Sequence, residues 1–557
     1  MHLLSKTFAQ RFWLVLTVSI VSVVLLASLF WVLNHPYATT WDEAAYINRA
    51  YEDVGSFQKD GLYGLAKSIM GADRGRPPAN RLLALPVTLL AGVSPILLRL
   101  VSLSGWALSL GLIYLAAQRL AGPTAGAFAS LWLALCPIAI LSSMRFYTEF
   151  SLFLAISAML FFLFQDWNHQ QTSPCNWIGL GLALGAGTWA KPTFILIAGP
   201  VILLALLLSW RRVVTGPEPK FLLKALALAG VVAAPWWLLN AQYSLGNATR
   251  SSTKFVRHSM GSPSLETWAK WLIAFVQTAT GPALAILAVA ILLNLLLKGY
   301  LKQGLDLNLT QKTALWLCCA GSLPLLTAQL FATNHNLRLV SPSLLPLAIG
   351  LAVIAATLQW TQIRLLALTA SVVFCTQLFV LITPTLRDPQ AQFQAVQAKV
   401  FLTDSSDTVL LRREQWDWSP LRQICLQHQI QKPVIAYIGG NGGAFNLPQI
   451  RYPWVEVGEA VQVEWLWRYE LGEIDWQTVT NRVNASDVVL TAPTYVQMVR
   501  ENANKDHLDN QHNFELAHRL ETNSNFQEPI ELEMGQFEPV KVLVFIRQRE
   551  HTKTSFA

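Results

Sequence analysis

Long apolar runs separated by short polar stretches fill the chain up to about residue 383 and then stop. They fall at 12–33, 95–118, 121–141, 148–165, 177–190, 192–209, 221–240, 271–297, 313–332, 338–358 and 364–383. Most approach the roughly 20 residues a helix needs to cross about 30 Å of hydrocarbon, which predicts about eleven transmembrane helices. Residues 177–190 are short for a crossing, and 82–94 reads as a re-entrant or interfacial piece within a long loop, 34–94. Phe12–Leu33 follows Lys6 and Arg11 as a signal peptide's apolar core would. It is a full span long and lacks an Ala-x-Ala cleavage site, so it reads as a retained anchor.

From about residue 384 the period shortens. Apolar, β-rich runs (Thr408–Leu411, Pro433–Ile438, Val488–Leu490 and Val540–Ile546) alternate with helical stretches such as 419–430 and 476–484. That alternation predicts a soluble α/β domain of about 170 residues. Gly439-Gly440-Asn441-Gly442-Gly443 follows a predicted strand but matches neither GxGxxG nor a Walker pattern, so it reads as a turn. The expected organisation is an all-α polytopic membrane domain over 1–383 and a C-terminal α/β domain over 384–557.

Composition agrees. With 53% hydrophobic and 13% charged residues and a mean hydropathy of +0.38, the chain is not a soluble globular protein. The net charge of +8 is unevenly spread: residues 384–557 hold 16 Lys+Arg and 22 Asp+Glu, leaving 25 and 11 for residues 1–383. Because those cations lie in loops between apolar spans, membrane lipids or a lipid phosphate suit them better than nucleic acid. Six cysteines show no CxxC or Cys/His spacing, which argues against disulfides and structural zinc.

Charge also orients the spans. With a cytoplasmic N-terminus, the inner loops hold Lys6 and Arg11, then Arg119, then Arg211, Arg212, Lys220 and Lys224, then Lys298, Lys302 and Lys312, then Arg364. The short outer turns hold only Arg145, Lys191 and Arg338, so the short loops favour an extracytoplasmic C-terminal domain on a multi-pass protein of the cell (inner or plasma) membrane. An odd span count then places Asp42, Glu43, Arg145, Glu149, Lys191, the loop 241–270, Arg338 and the tail on one outer face.

Thr40-Trp41-Asp42-Glu43 fits a capping box, with Thr40 as N-cap and Glu43 reaching back. A helix starting there would also hold Asp42 rigidly, and its dipole would favour an ionised carboxylate able to accept a proton. Ser142-Ser143-Met144-Arg145-Phe146-Tyr147-Thr148-Glu149 sets a carboxylate at the outer start of a span. It is either an end charge paired with Arg145 or part of a site. Lys191, before Pro192, is either an interfacial anchor or a site cation. Arg338 lies in Asn334-His335-Asn336-Leu337-Arg338-Leu339-Val340-Ser341-Pro342, where a headgroup anchor is the alternative. His335 is kept as a binding candidate, although a polar turn explains it as well. Arg250, Lys254, Arg257 and His258 form a basic loop that suits phosphate or plain solvent.

These motifs resemble the lipid-phosphosugar-dependent glycosyltransferases of the GT-C fold, in particular the protein O-mannosyltransferase and aminoarabinose-transferase relatives. The likeness covers residues 1–383 in layout and a few short motifs in detail. It implies that Asp42, followed by Glu43, is the general base of the first external loop, with Tyr46 the tyrosine that often follows. It implies that Glu149 is the acidic residue at the start of its span and that Lys191 occupies a Thr/Ser-Lys-Pro-like break. It also implies that Arg338 is the arginine of an Arg-Tyr-x-x-Pro stretch, with Leu339 where tyrosine is usual. Arg145, Glu149, Lys191, His335, Arg338 and Tyr46 are then the substrate-binding candidates.

A polyprenyl-phosphate sugar donor already has a good leaving group. Catalysis needs cations where phosphate charge grows and a base where a hydroxyl acceptor on a glycan, lipid or protein loses its proton. Inversion at the anomeric carbon is implied by the resemblance. No cofactor is indicated by the residues, and a divalent metal is compatible with the resemblance. The rivals are a lipid-linked glycan transporter or flippase, which would need a charge relay at mid-membrane depth, and a glycan polymerase or ligase, whose large loop comes late.

Overall fold

A computed structural model describes residues 2–38, 40–165, 167, 173–211, 217–253, 263–300, 307–356, 365, 368–373, 375–376, 416–438, 445–467, 474–493, 503–535 and 540–548. The helices that precede the C-terminal sheet begin with α1 (His2–Leu33), α2 (Trp41–Gly71), α3 (Ala79–Ala91), α4 (Pro95–Ala121), α5 (Pro123–Ala134), α6 (Pro137–Ser143) and α7 (Glu149–Gln165). They continue with α8 (Pro174–Ala190), α9 (Phe194–Trp210), α10 (Pro219–Thr253), α11 (Leu265–Ala274), α12 (Pro282–Tyr300), α13 (Leu309–Phe331) and α14 (Leu344–Ala355). Every predicted apolar segment except the last overlaps these helices, although 338–358 opens in two 3₁₀ turns ahead of α14. The segment 364–383 lies largely outside the described residues.

Among the described residues, Arg11–Leu33, Pro95–Ala121, Pro219–Arg250 and Leu309–Phe331 are individually long and apolar enough to cross a membrane. Other predicted spans are broken or short, for identifiable reasons. The segment 121–141 divides into α5 and α6, bent by 71°, where Pro137 opens a new helix after Cys136. Gly122, at φ 88°, reverses the chain ahead of Pro123. The segment 271–297 is interrupted by a π-helical turn, Phe275–Thr280, and by Gly281 at φ 79°. The predicted long loop 34–94 is mostly helical, as α2 and α3.

The described residues group into two compact units. The first draws on Met1–Asn34, Ala66–Leu90 and Ile96–Asp404, and the second on His35–Leu65, Ala91–Pro95 and Ser405–Ala557. In the first, α8 packs along both α7 and α10, α13 along α9 and α14, and α5 along α1 and α14. Small residues permit the tightest of these approaches. A Cβ on Gly181 would meet the Ala225 carbonyl oxygen at 2.8 Å, and one on Gly185 would meet Val232 Cβ at 2.6 Å.

The second unit holds α15 (Ser419–Gln427), β1 (Val434–Ile438), α16 (Leu447–Glu456), β2 (Gln462–Trp467), α17 (Trp476–Ala485), β3 (Val488–Thr491), α18 (Ala503–Glu521), β4 (Ile530–Met534) and β5 (Val540–Ile546). Strand order is β2-β1-β3-β5-β4. The first three strands are parallel and β5 runs against both β3 and β4. Alternate residues face opposite layers. Ile435, Tyr437, Val488, Leu490 and Val544 join the core under α15 and α16, whereas Ala436, Ile438, Val489 and Phe545 join the core under α17 and α18. Burial on both faces explains why β1 and β3 read as uninterrupted apolar runs. The sequence reading missed β2 and β4. In β4, Ile530-Glu531-Leu532-Glu533-Met534 is an edge strand with charged outward positions. Gly439–Gly443 and Thr408–Leu411 lie outside the described residues.

Candidate active site

Within the first unit, helix ends bring charged and aromatic side chains together. Glu149 opens α7, where the positive end of the helix favours a carboxylate. Its Oε1 receives Lys191 Nζ at 2.8 Å and lies 3.2 Å from Arg338 Nε. Thr148 Oγ1 donates to its other oxygen at 3.4 Å. Lys191 is delivered by the end of α8, whose backbone turns extended ahead of Pro192. Arg338 is delivered by a single 3₁₀ turn, Leu337–Leu339, whose start is fixed by Asn336 Oδ1 accepting from the Arg338 N–H at 3.0 Å.

Aromatic rings carry the cluster further. The Arg338 guanidinium lies 4.3 Å from the centroid of Tyr147, and that of Arg145 lies 6.0 Å from the same ring. Arg145 also lies 5.9 Å from the Trp31 ring, and Arg99 is 5.1 Å from it. Such contacts hold a weakly hydrated guanidinium against an apolar wall. Glu149 is 1% exposed, while the Arg338 and Lys191 side chains are 18% and 19% exposed. Cations serving as headgroup anchors would extend away from the protein. These two turn inward onto one buried carboxylate.

His335 belongs to the same unit and is buried. Burial lowers its pKa from the ordinary imidazole value, which favours the neutral ring.

Asp42, Glu43 and Tyr46 lie on α2 in the second unit. Thr40 Oγ1 accepts from the Glu43 N–H at 3.3 Å, the N-cap half of the predicted capping box. Glu43 is fully buried, Tyr46 is buried and Asp42 is half-buried. The structure thus brings Arg145, Glu149, Lys191 and Arg338 into one cluster, and sets Asp42, Glu43 and Tyr46 on one capped helix. Among the described residues, no three His, Cys, Asp or Glu side chains gather as a metal site requires, so none is assigned to a divalent ion. Of the basic loop, Lys254, Arg257 and His258 lie outside the described residues.

Sequence reasoning missed Trp31, Arg99 and Tyr147. Arg99 left a usable signal, a lone cation near the start of the apolar run 95–118, and the structure buries it fully. The rings left none, because aromatic residues are common at span ends in any membrane protein.

Residues 75–238 match the family model described as dolichyl-phosphate-mannose-protein mannosyltransferase. A comparison with curated proteins finds no match. Among solved structures the chain is similar to ArnT from Cupriavidus metallidurans bound to undecaprenyl phosphate, with TM-score 0.56 and 15% identity over 96% of this chain and 98% of that one. The apo form of the same protein gives 0.55 at 15% identity over the same shares. The archaeal oligosaccharyltransferase AglB from Archaeoglobus fulgidus gives 0.51 at 10% identity, over 86% of this chain and 69% of that one. At these identities the structural likeness is one of fold. Together with the family match over residues 75–238, it bears out the expectation of the GT-C fold.

Proposed function

We propose that the protein transfers a sugar from a polyprenyl-phosphate donor to a hydroxyl acceptor at the extracytoplasmic face of the membrane. The observation that carries this reading is the meeting of Lys191 and Arg338, from separate parts of the chain, at the buried Glu149. Lys191 and Arg338 supply cation density for the donor phosphate, and Arg145 adds to it. Glu149 acts as a positioning residue that fixes where those cations point. That solved relatives of the same fold are described with undecaprenyl phosphate and dolichol-phosphate supports a lipid phosphate as the ligand.

In the reaction, the acceptor oxygen attacks the anomeric carbon. The bond from that carbon to the phosphate oxygen breaks, its electron pair stays on the leaving polyprenyl phosphate, and the hydroxyl proton passes to Asp42. Direct displacement inverts the anomeric centre. The cations contribute most if they bind the charge that grows during bond breaking better than the ground state.

The test is to incubate purified protein with a panel of polyprenyl-phosphate sugars and an acceptor mixture. Mass spectrometry follows the conversion of donor to polyprenyl phosphate. Consumption of at least one donor, lost in Arg338→Ala, is expected. A folded protein that neither consumes nor binds any donor overturns the reading.

A further inference from the structure

Residues His35–Leu65 fold with the C-terminal α/β unit although about 400 residues of chain separate them. The contacts bracket Asp42. Ahead of it, the Ala38 carbonyl accepts from Gln449 Nε2 at 3.0 Å. Beside it, Trp41 stacks on Trp465 of β2 with ring centroids 5.2 Å apart and an interplanar angle of 21°. Beyond it, Asn48 Nδ2 donates to the Pro448 carbonyl at 2.9 Å. Glu52 receives Arg451 at 2.9 Å, and the Tyr51 and Tyr452 hydroxyls lie 3.3 Å apart.

The far side of these contacts is itself rigid. Pro448, Gln449, Arg451 and Tyr452 all belong to α16, whose N-cap Asn446 accepts from the Gln449 N–H at 3.1 Å. Trp465 Nε1 donates to the Tyr437 hydroxyl on β1. A helix start held by a packed sheet and a capped helix has few ways to rotate. General-base catalysis needs that restriction, because a misplacement of about 1 Å costs on the order of 10² in rate.

We infer that the C-terminal α/β unit positions the catalytic base, with Trp465 and the Asn48–Pro448 bond as the pins that aim Asp42. The inference rests on the proposed role of Asp42. Trp465 and Asn48 act through that residue, so they are positioning residues.

The experiment uses the full-length protein and compares Trp465→Ala, Trp465→Phe, Asn48→Ala, Asp42→Asn and the double variant Trp465→Ala/Asp42→Asn. Trp465→Ala is expected to lower kcat by roughly 10–100-fold with the donor KM little changed. Trp465→Phe, which keeps a stacking ring, should recover most of the loss. In the double variant the tryptophan loss should add almost nothing to the Asp42→Asn loss, because the pin acts through the base.

Backbone amide exchange gives a readout independent of turnover: the amides of residues 43–50 should exchange faster in Trp465→Ala than in the wild type. If Trp465→Ala fails to fold, Asn48→Ala, which removes one hydrogen bond and no ring, carries the same expectations. A folded Trp465→Ala enzyme with wild-type kcat and wild-type exchange overturns the inference while Asp42→Asn stays inactive. A fully active Asp42→Asn enzyme instead overturns the base assignment.

Discussion

Glu149 gives the residue scale its simplest test, because two cations depend on it. Removing one partner from a buried ion pair costs about 3–5 kcal/mol, since the charges left behind have lost water as well. Glu149→Ala should therefore lower thermal stability as well as activity, whereas Lys191→Ala should affect activity more than stability. Thermal unfolding of the two purified variants checks the order. Arg338 separates the site reading from the anchor reading. A guanidinium's planar fork can grip two phosphate oxygens at once, which a lysine ammonium cannot copy. Arg338→Lys should raise the donor KM or lower kcat despite keeping the charge, and Arg338→Ala should do so further. Donor-concentration dependence indistinguishable from wild type in Arg338→Lys would leave only the anchor. Asp42→Asn keeps the size of the side chain and leaves the Thr40 cap in place but removes basicity, so a loss of roughly 10²–10⁴ in rate is expected. Glu43→Gln should cost less.

The four clustered residues Arg145, Glu149, Lys191 and Arg338 were legible from sequence because an isolated charge beside a long apolar run is conspicuous and because Glu149, Lys191 and Arg338 sit in stretches that carry the family resemblance. Their partners were less so. Trp31 and Tyr147 engage arginines across helices, and nothing in local spacing says which ring faces which guanidinium.

At the scale of elements, apolar run length located the helices well and their breaks poorly. The reason is that Pro137 and Gly281 act through backbone geometry, leaving the surrounding hydropathy unchanged. The strands divide similarly. Central β1 and β3 are buried on both faces and stood out, while β4 alternates glutamate with aliphatic residues and did not. The α8–α10 contact offers a direct test of packing. Gly181 and Gly185, four residues apart, lie on one helix face and let the helix backbones approach. Gly185→Leu would drive a side chain into Val232 and should destabilise by about 1–3 kcal/mol. A Cβ added at Gly230, on α10, would meet nothing within 4 Å, so Gly230→Ala should not destabilise and should gain up to about 1 kcal/mol from helix propensity. Thermal unfolding in detergent distinguishes them, and equal melting of both variants would remove the close-packing account.

At the scale of the whole molecule, the tail is more than an appended domain. Residues Ala38–Glu52 lean on α16 and β2, so deleting 384–557 would strip the Asp42 helix of its support. No local pattern announced this arrangement, because the partners are about 400 residues apart. Orientation across the membrane is the remaining expectation at this scale. The inner segments of the charge-based assignment carry between one and four cations each, and the outer turns carry one each, Arg145, Lys191 and Arg338. Within the first unit those three gather around Tyr147 and Glu149, which fits the expectation that alternating spans bring them to one end. Their charges have a role within the cluster, so they weigh less against the inside rule than loop cations would. A reporter active only outside the cytoplasm should therefore be active when fused at Ala557 and inactive when fused at Gly216. The reverse pattern would place the cluster on the cytoplasmic side and overturn the proposed face of the reaction.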